Sequence, residues 1–328
     1  MHIAVAGSVA TDHLMTFQGK FADSLVPDQL DKIALSFLVD DLDIRRGGCG
    51  ANIAFGLAAL GHDPVLVASV GADFDEGGYR AWLSDSGVDC GHVYVSPSMH
   101  TARCTITTDD AHAQIVTFYA GAMADARKID LAELNDKVGG FDLVLIGPDD
   151  PEGMVRHTNA CRELGLPFAA DPSQQLAWAD GEMIRQLIDG ATYLFSNDYE
   201  AALIEQKTGW TTAEVQSHVT TRVVTHGADG VKVYPADGTE ISVGAIEGII
   251  AIDPTGVGDS FRAGFLAAVA AGLSLERAAQ VGCTIAASVV ETKGTQEYVL
   301  TRDAFLKRLS TAYGEASAAE VGQHLNLG

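Results

Sequence analysis

A chain of 328 residues is long enough for one large α/β unit or two domains, which excludes a small fold held together by disulfides or metal. Apolar residues are 47% and charged residues 20%, without a biased tract, so the chain is globular. Lys plus Arg number 21 against 44 Asp plus Glu; the net charge of −23 argues against nucleic-acid and anionic-lipid partners while leaving room for a locally basic pocket.

The N-terminal run MHIAVAGSVATD has no basic start and is interrupted by Ser8 and Asp12, so it reads as a buried strand rather than a signal peptide. Further short apolar, β-branched runs at 64–70, 143–147, 167–171, 192–195 and 222–226 predict strands, and helices are expected at 50–60, 75–86, 151–164, 181–189 and 197–208. That alternation predicts βαβ units around a mostly parallel sheet covered on both faces, with ligands at the carboxyl ends of the strands. Residues 13–19, 33–45, 101–107 and 114–119 look like strands without intervening helices. They are expected to form a small antiparallel β lid (13–45 and 101–119) over a large domain built from 1–12, 46–100 and 120–328. Runs 231–234 and 240–243 predict a hairpin, residues 258–291 two helices broken near Gly272-Leu273-Ser274, and a last helical segment starts near Thr301. The longest apolar run, 263–273, is about half of a membrane span. Five scattered cysteines without a Cys-x-x-Cys spacing suggest neither a disulfide framework nor a zinc site, and a cytoplasmic protein is expected.

Asp253-Pro-Thr-Gly-Val-Gly-Asp259 directly precedes an Ala/Gly-rich helix. Gly256 and Gly258 permit tight turning, so the amides of Gly256, Val257 and Gly258 can converge on an anion at a helix N-terminus. A carboxylate inside such a cradle is suited to orienting a hydroxyl and taking its proton, which makes Asp259 the candidate base. Standing alone, the segment reads equally as a Gly-rich helix cap.

The segment Arg46-Gly47-Gly48-Cys49-Gly50-Ala51-Asn52-Ile53-Ala54, taken with DPTGVGD at 253–259, resembles the two signatures of the ribokinase-like (PfkB) carbohydrate kinases. GSVATDHLM, LSFLVDDL, AADPSQQLA and NDYE look further like the bacterial adenosine kinases of that family. The resemblance implies a ribokinase-like α/β fold and ATP-dependent phosphorylation of the adenosine 5′-hydroxyl, with ribose, another sugar or another nucleoside as the alternative acceptor and a non-catalytic sensor as the remaining one, and with Mg²⁺ and a K⁺ near Asp253, Thr255 and 288–297. It assigns Asp12 to two vicinal ribose hydroxyls and the Gly48 NH and Asn52 side chain to the same sugar edge. Ser8, Ser36, Gln174 and Gln175 fall near sugar or base, and Phe118 stacks on the purine. Asn197 and Glu200 match the Asn-x-x-Glu motif, in which the Glu organises Mg²⁺ through water. Thr225, Gly227 and Gly230 match the nucleotide loop. Each assignment has a plain structural alternative: Asp12 ending a strand, Asn52 or Asn197 capping a helix, Phe118 as lid core, Gln174-Gln175 as polar loop, and 225–230 as a turn. Cys104 departs from the pattern, because an aromatic is expected opposite Phe118; Trp178 is the nearest substitute. A lid strand at 33–44 bearing Ile33, Leu35, Phe37 and Val39 suggests a homodimer formed through the lid.

Overall fold

The computed structural model describes residues 1–24 and 36–325. Eight strands form the central sheet, in the spatial order Ile241–Val243, Val231–Pro235, Thr221–Thr225, Tyr193–Asn197, Phe168–Ala170, Leu143–Ile146, Ile3–Ala6, Val65–Val67. The last six in that order run parallel, and the 231–243 hairpin adds two antiparallel edge strands. The parallel strands are almost wholly buried, as their unbroken Val/Ile/Leu/Ala runs require when helices cover both faces. One core packs Cys49–Ala59, Val257–Ala270 and Leu275–Val290 on one face of the sheet; the other packs Leu131–Val138, Pro151–Leu164 and Gly181–Ile188. Strand order reverses at Ile3–Ala6, which lies between Val65–Val67 and Leu143–Ile146. The Ser8 amide donates to the Pro148 carbonyl across that point, 3.0 Å away. A crevice is expected there.

A second, four-stranded sheet has the order Asp41–Gly47, Ala10–Phe17, Ala102–Asp109, Gln114–Tyr119. Its outer ladders are antiparallel, but its central one, Ala10–Phe17 against Ala102–Asp109, is parallel, which corrects the wholly antiparallel expectation. Ala10 pairs with Ala102 at a buried root, so both strands run outward from the body side by side while their hairpin partners return. Two out-and-back pairs joined by their outgoing strands have to meet in parallel. The strand expected over 33–45 begins only at Asp41: residues 36–40 are irregular, and 33–35, with Ile33 and Leu35, lie outside the described residues. Phe37 packs on Phe17 and Phe21, at 4.9 and 5.0 Å between ring centroids, rather than forming an open face.

The two late helices, Val257–Ala270 and Leu275–Val290, and the hairpin fall where expected. The helices Leu131–Val138 and Thr212–Ser217 and the split of the C-terminal segment into Arg302–Tyr313 and Glu315–His324 were not anticipated. All five cysteines are free, and among the described residues no helix is long and apolar enough to cross a membrane.

Candidate active site

A cavity of about 1440 Å³ runs along the carboxyl ends of the parallel strands and under the four-stranded sheet. The substrate, catalytic and nucleotide residues assigned from the sequence all line it except Ser36, which is exposed in the irregular stretch before Asp41; Asp253, assigned to K⁺, does not line it, whereas Thr255 does. The volume exceeds the usual range for a single small ligand, so two can lie end to end.

The middle of the cavity is the first turn of Val257–Ala270. Gly256 is its N-cap, with φ 75°, and a Cβ there would sit 2.9 Å from Thr295 side-chain atoms, so a side chain is excluded by both conformation and space. The amides that open the helix have no intrahelical acceptors and carry the positive end of its dipole. Asp259 stands on this same turn. Its carboxylate accepts a 2.8 Å hydrogen bond from Asn52 Nδ2. Burial pushes Asp259 up to about 6, although the Asn52 hydrogen bond and the Arg262 guanidinium pull the other way. At neutral pH it is ionised yet basic enough to take a proton.

Toward the lid sheet lies a polar end. Asp12 projects from Ala10–Phe17, and burial, helped by the carboxylates of Asp253 and Asp259, raises it to about 6. Gly48, at φ 94°, is the N-cap of Cys49–Ala59, and any Cβ would come within 2.6 Å of the Ala10 amide nitrogen and the Ser8 carbonyl. Ser8 Oγ accepts from the Cys49 amide at 3.2 Å, which anchors the start of that helix. The adjacent glutamines diverge: Gln174 reaches toward Cys49 Sγ, whereas Gln175 Nε2 donates to the Asp149 carbonyl at 2.8 Å. Phe118 pairs directly with Cys104 across the lid ladder and is 55% exposed on the cavity wall. Trp178 is 87% exposed at the rim. Lys207 fixes the turn beneath it by donating to the carbonyls of Leu176, Ala177 and Ala179.

The other end is apolar along Ile246, Ile249, Cys283, Ala286 and Val290. Asn197 and Glu200 form a reciprocal capping box at 2.8 Å in each direction, so the plain structural role is real; both also line the cavity. Burial raises Glu200 above the usual carboxylate range. Thr225 ends its strand, and Gly227 and Gly230 turn the chain into the edge hairpin.

Three buried groups escaped sequence reasoning. Arg262 holds Asp171 in a two-pronged ion pair, Nε to Oδ2 at 2.6 Å and Nη2 to Oδ1 at 2.7 Å, with Asp171 1% and Arg262 5% exposed. The guanidinium also donates to the Gly258 carbonyl and lies 3.8 Å from Glu200, tying the first turn of Val257–Ala270 to that carboxylate. A lone Arg in an Ala/Gly-rich helix, one turn after Asp259, was the available signal. Gln296 is the third, buried behind Asn52. Among the described residues no group of three or more His, Cys, Asp or Glu side chains converges as a metal site.

A family model described as pfkB family carbohydrate kinase matches residues 12–302. The nucleoside kinase of Methanocaldococcus jannaschii is 32% identical over 263 residues, covering 80% of this chain and 85% of that protein. The solved structure of Burkholderia thailandensis nucleoside kinase in complex with inosine is 36% identical, with a TM-score of 0.82 over 95% of this chain and 98% of that one. The same protein in complex with ADP-inosine is similar at a TM-score of 0.80, 36% identity and 95% and 96% coverage. By the match over residues 12–302, the identity to the Methanocaldococcus jannaschii protein and the shared fold, the chain belongs to the pfkB family of carbohydrate kinases, with a ribokinase-like fold.

Proposed function

We propose that this kinase transfers the γ-phosphoryl group of ATP to the 5′-hydroxyl of a nucleoside, adenosine being the acceptor and AMP and ADP the products. The observation that carries the reading is the helix turn at 256–259, where the amides opening the helix and a half-buried, basic carboxylate line the same cavity. Asp12 accepts from two ribose hydroxyls with its two oxygens, while the Gly48 amide and the second Asn52 Nδ2 proton hold the same edge. Asp259 takes the 5′-proton, and the amides of Gly256, Val257 and Gly258 stabilise charge on the phosphoryl group in flight. Thr225, Gly227, Gly230 and the apolar wall hold the nucleotide. Glu200, on the cavity wall, would hold Mg²⁺ through water, which suits a metal that keeps several waters; when bound it would supply charge neutralisation. A K⁺ site fits the loop at Asp253, whose oxygens accept from the amides of Thr255 and Gly294. Closure of the lid sheet excludes water from the transfer. Two copies pair through this sheet, which exposes Leu42, Ile44, Ile115 and Val116.

A second reading, inosine or another nucleoside in place of adenosine, is favoured by Cys104, which removes an aromatic partner from the base pocket, and by the inosine complex of the Burkholderia thailandensis protein. The test is ADP release against adenosine, guanosine, inosine, cytidine, ribose and fructose 6-phosphate. Turnover of ribose without any nucleoside removes the nucleoside reading. The Asp259→Asn variant is expected to keep ATP binding and lose about 10²-fold or more in kcat. Unchanged turnover assigns the proton to another group.

A further inference from the structure

We propose that Gln296 is a positioning residue for phosphoryl transfer: it fixes which way the Asn52 amide points and thereby keeps a hydrogen-bond donor on Asp259. The inference rests on Asp259 acting as the base. Gln296 is fully buried and does not line the cavity. Its own orientation is set by Trp82, whose indole NH can only donate and lies 3.1 Å from Gln296 Oε1. Arg46 stacked over that indole, 4.2 Å from the ring centroid, holds the ring in place. Gln296 Nε2 therefore points the other way, 2.9 Å from Asn52 Oδ1 and 2.7 Å from the Tyr79 hydroxyl. Tyr79 donates its proton to the Gly47 carbonyl at 2.8 Å, so it needs the donor that Gln296 supplies. The Thr295 hydroxyl lies 2.9 Å from both Asn52 Oδ1 and the Arg46 carbonyl and has one proton for the two, so Gln296 Nε2 is the committed donor to the Asn52 oxygen, and the Asn52 nitrogen is left for Asp259.

The reversed Asn52 amide would set NH₂ against NH₂ at Gln296 and oxygen against carboxylate at Asp259, so the chain of donors from Trp82 has one satisfied arrangement. In it, one Asp259 oxygen receives a permanent hydrogen bond and the other stays free for the acceptor hydroxyl. The remaining groups that act on Asp259 are Cys49 from the Asn52 helix, Arg262 from its own helix, Asp171 from the central sheet, Asp12 from the lid and the Tyr298 hydroxyl. None of these orients the Asn52 amide.

Two substitutions read this directly. Gln296→Met removes the donor, and kcat is expected to fall about tenfold with the KM for ATP unchanged, at every pH. Gln296→Glu has nearly the same shape. When protonated, the introduced carboxyl can still donate to Asn52; when ionised, it only accepts, draws the Asn52 nitrogen to itself and turns the oxygen onto Asp259. The ratio of variant to parent kcat/KM is therefore expected to fall at least tenfold between pH 6 and pH 9, with both proteins folded by thermal melt. If the Met variant does not fold, the pH ratio of the Glu variant decides. A ratio that does not change with pH overturns the proposal. Asp259→Asn in parallel keeps the two readings apart, because an active Asp259→Asn enzyme removes the base whatever Gln296 does.

Discussion

Asp12 and Asp259 are both raised to about 6 by burial, and the charge on Asp259 contributes to the shift at Asp12. Asp259 must be ionised to take the 5′-proton, and Asp12 must be ionised for both of its oxygens to accept. The nucleoside kcat/KM is therefore expected to fall below about pH 6 with a limiting acid slope above one, because both groups must be ionised; their coupling spreads the two steps. A log kcat/KM profile with an acid slope near one would assign the limb to one carboxylate alone. The same shifts have a stability consequence of opposite sign. A carboxyl whose folded pKa lies above its unfolded value near 4 binds its proton more tightly in the folded state. Its stabilising contribution is complete below pH 4 and is lost as pH rises through 6. Asp12→Asn removes a buried negative charge from this group, so its melting temperature should exceed the parent's at pH 8 and approach it at pH 4 to 4.5. An equal gain at both pH values would mean that packing and not charge is responsible.

If the acceptor is a nucleoside, as proposed, the lid strands set what its base meets. The ladder places Phe118 beside Cys104, giving one aromatic face where a pair is expected, and Trp178 stands exposed across the cavity on a turn that Lys207 clamps. Stacking on one aromatic is worth roughly 1–3 kcal/mol per base. Phe118→Ala is accordingly expected to raise the nucleoside KM about tenfold while the KM for ATP stays put, and Cys104→Phe to lower the nucleoside KM severalfold. Steady-state kinetics with each substrate varied separately checks both, and a matching change in the KM for ATP would place Phe118 outside the base site. These elements also show what the sequence carried. Strand and helix periodicity marked the parallel sheet and both late helices, because those segments are buried on a regular repeat. The parallel lid ladder was invisible, since residues 10–17 and 102–109 meet only through tertiary structure. Glycines and carboxylates of the site were legible because turns and proton transfer demand those residue types. Asp171, Arg262 and Gln296 were not, because their roles come from partners up to 244 positions away, as between Gln296 and Asn52.

The molecule as a whole sets the terms on which two copies can meet. Each carries a net charge of −23, so two copies repel as their surfaces come within the screening length, about 8 Å at physiological ionic strength and longer at low salt. A dimer therefore needs an apolar patch large enough to outweigh that field. The lid sheet offers one: Leu42, Ile44 and Ile115 are exposed on the face opposite the one that carries Asp12 and Phe118. Phe37, already packed on Phe17 and Phe21, adds little to it. If association is apolar and opposed by charge, salt should strengthen it, the reverse of an ion-paired interface. Light scattering at micromolar protein is expected to give twice the chain mass at 0.15 M salt, with dissociation on dilution into low salt. Ile44→Glu adds a charge to the patch without touching the cavity, and should yield a monomer that keeps its kcat. A parent protein that stays monomeric across the salt series removes the dimer and leaves the lid acting within one chain.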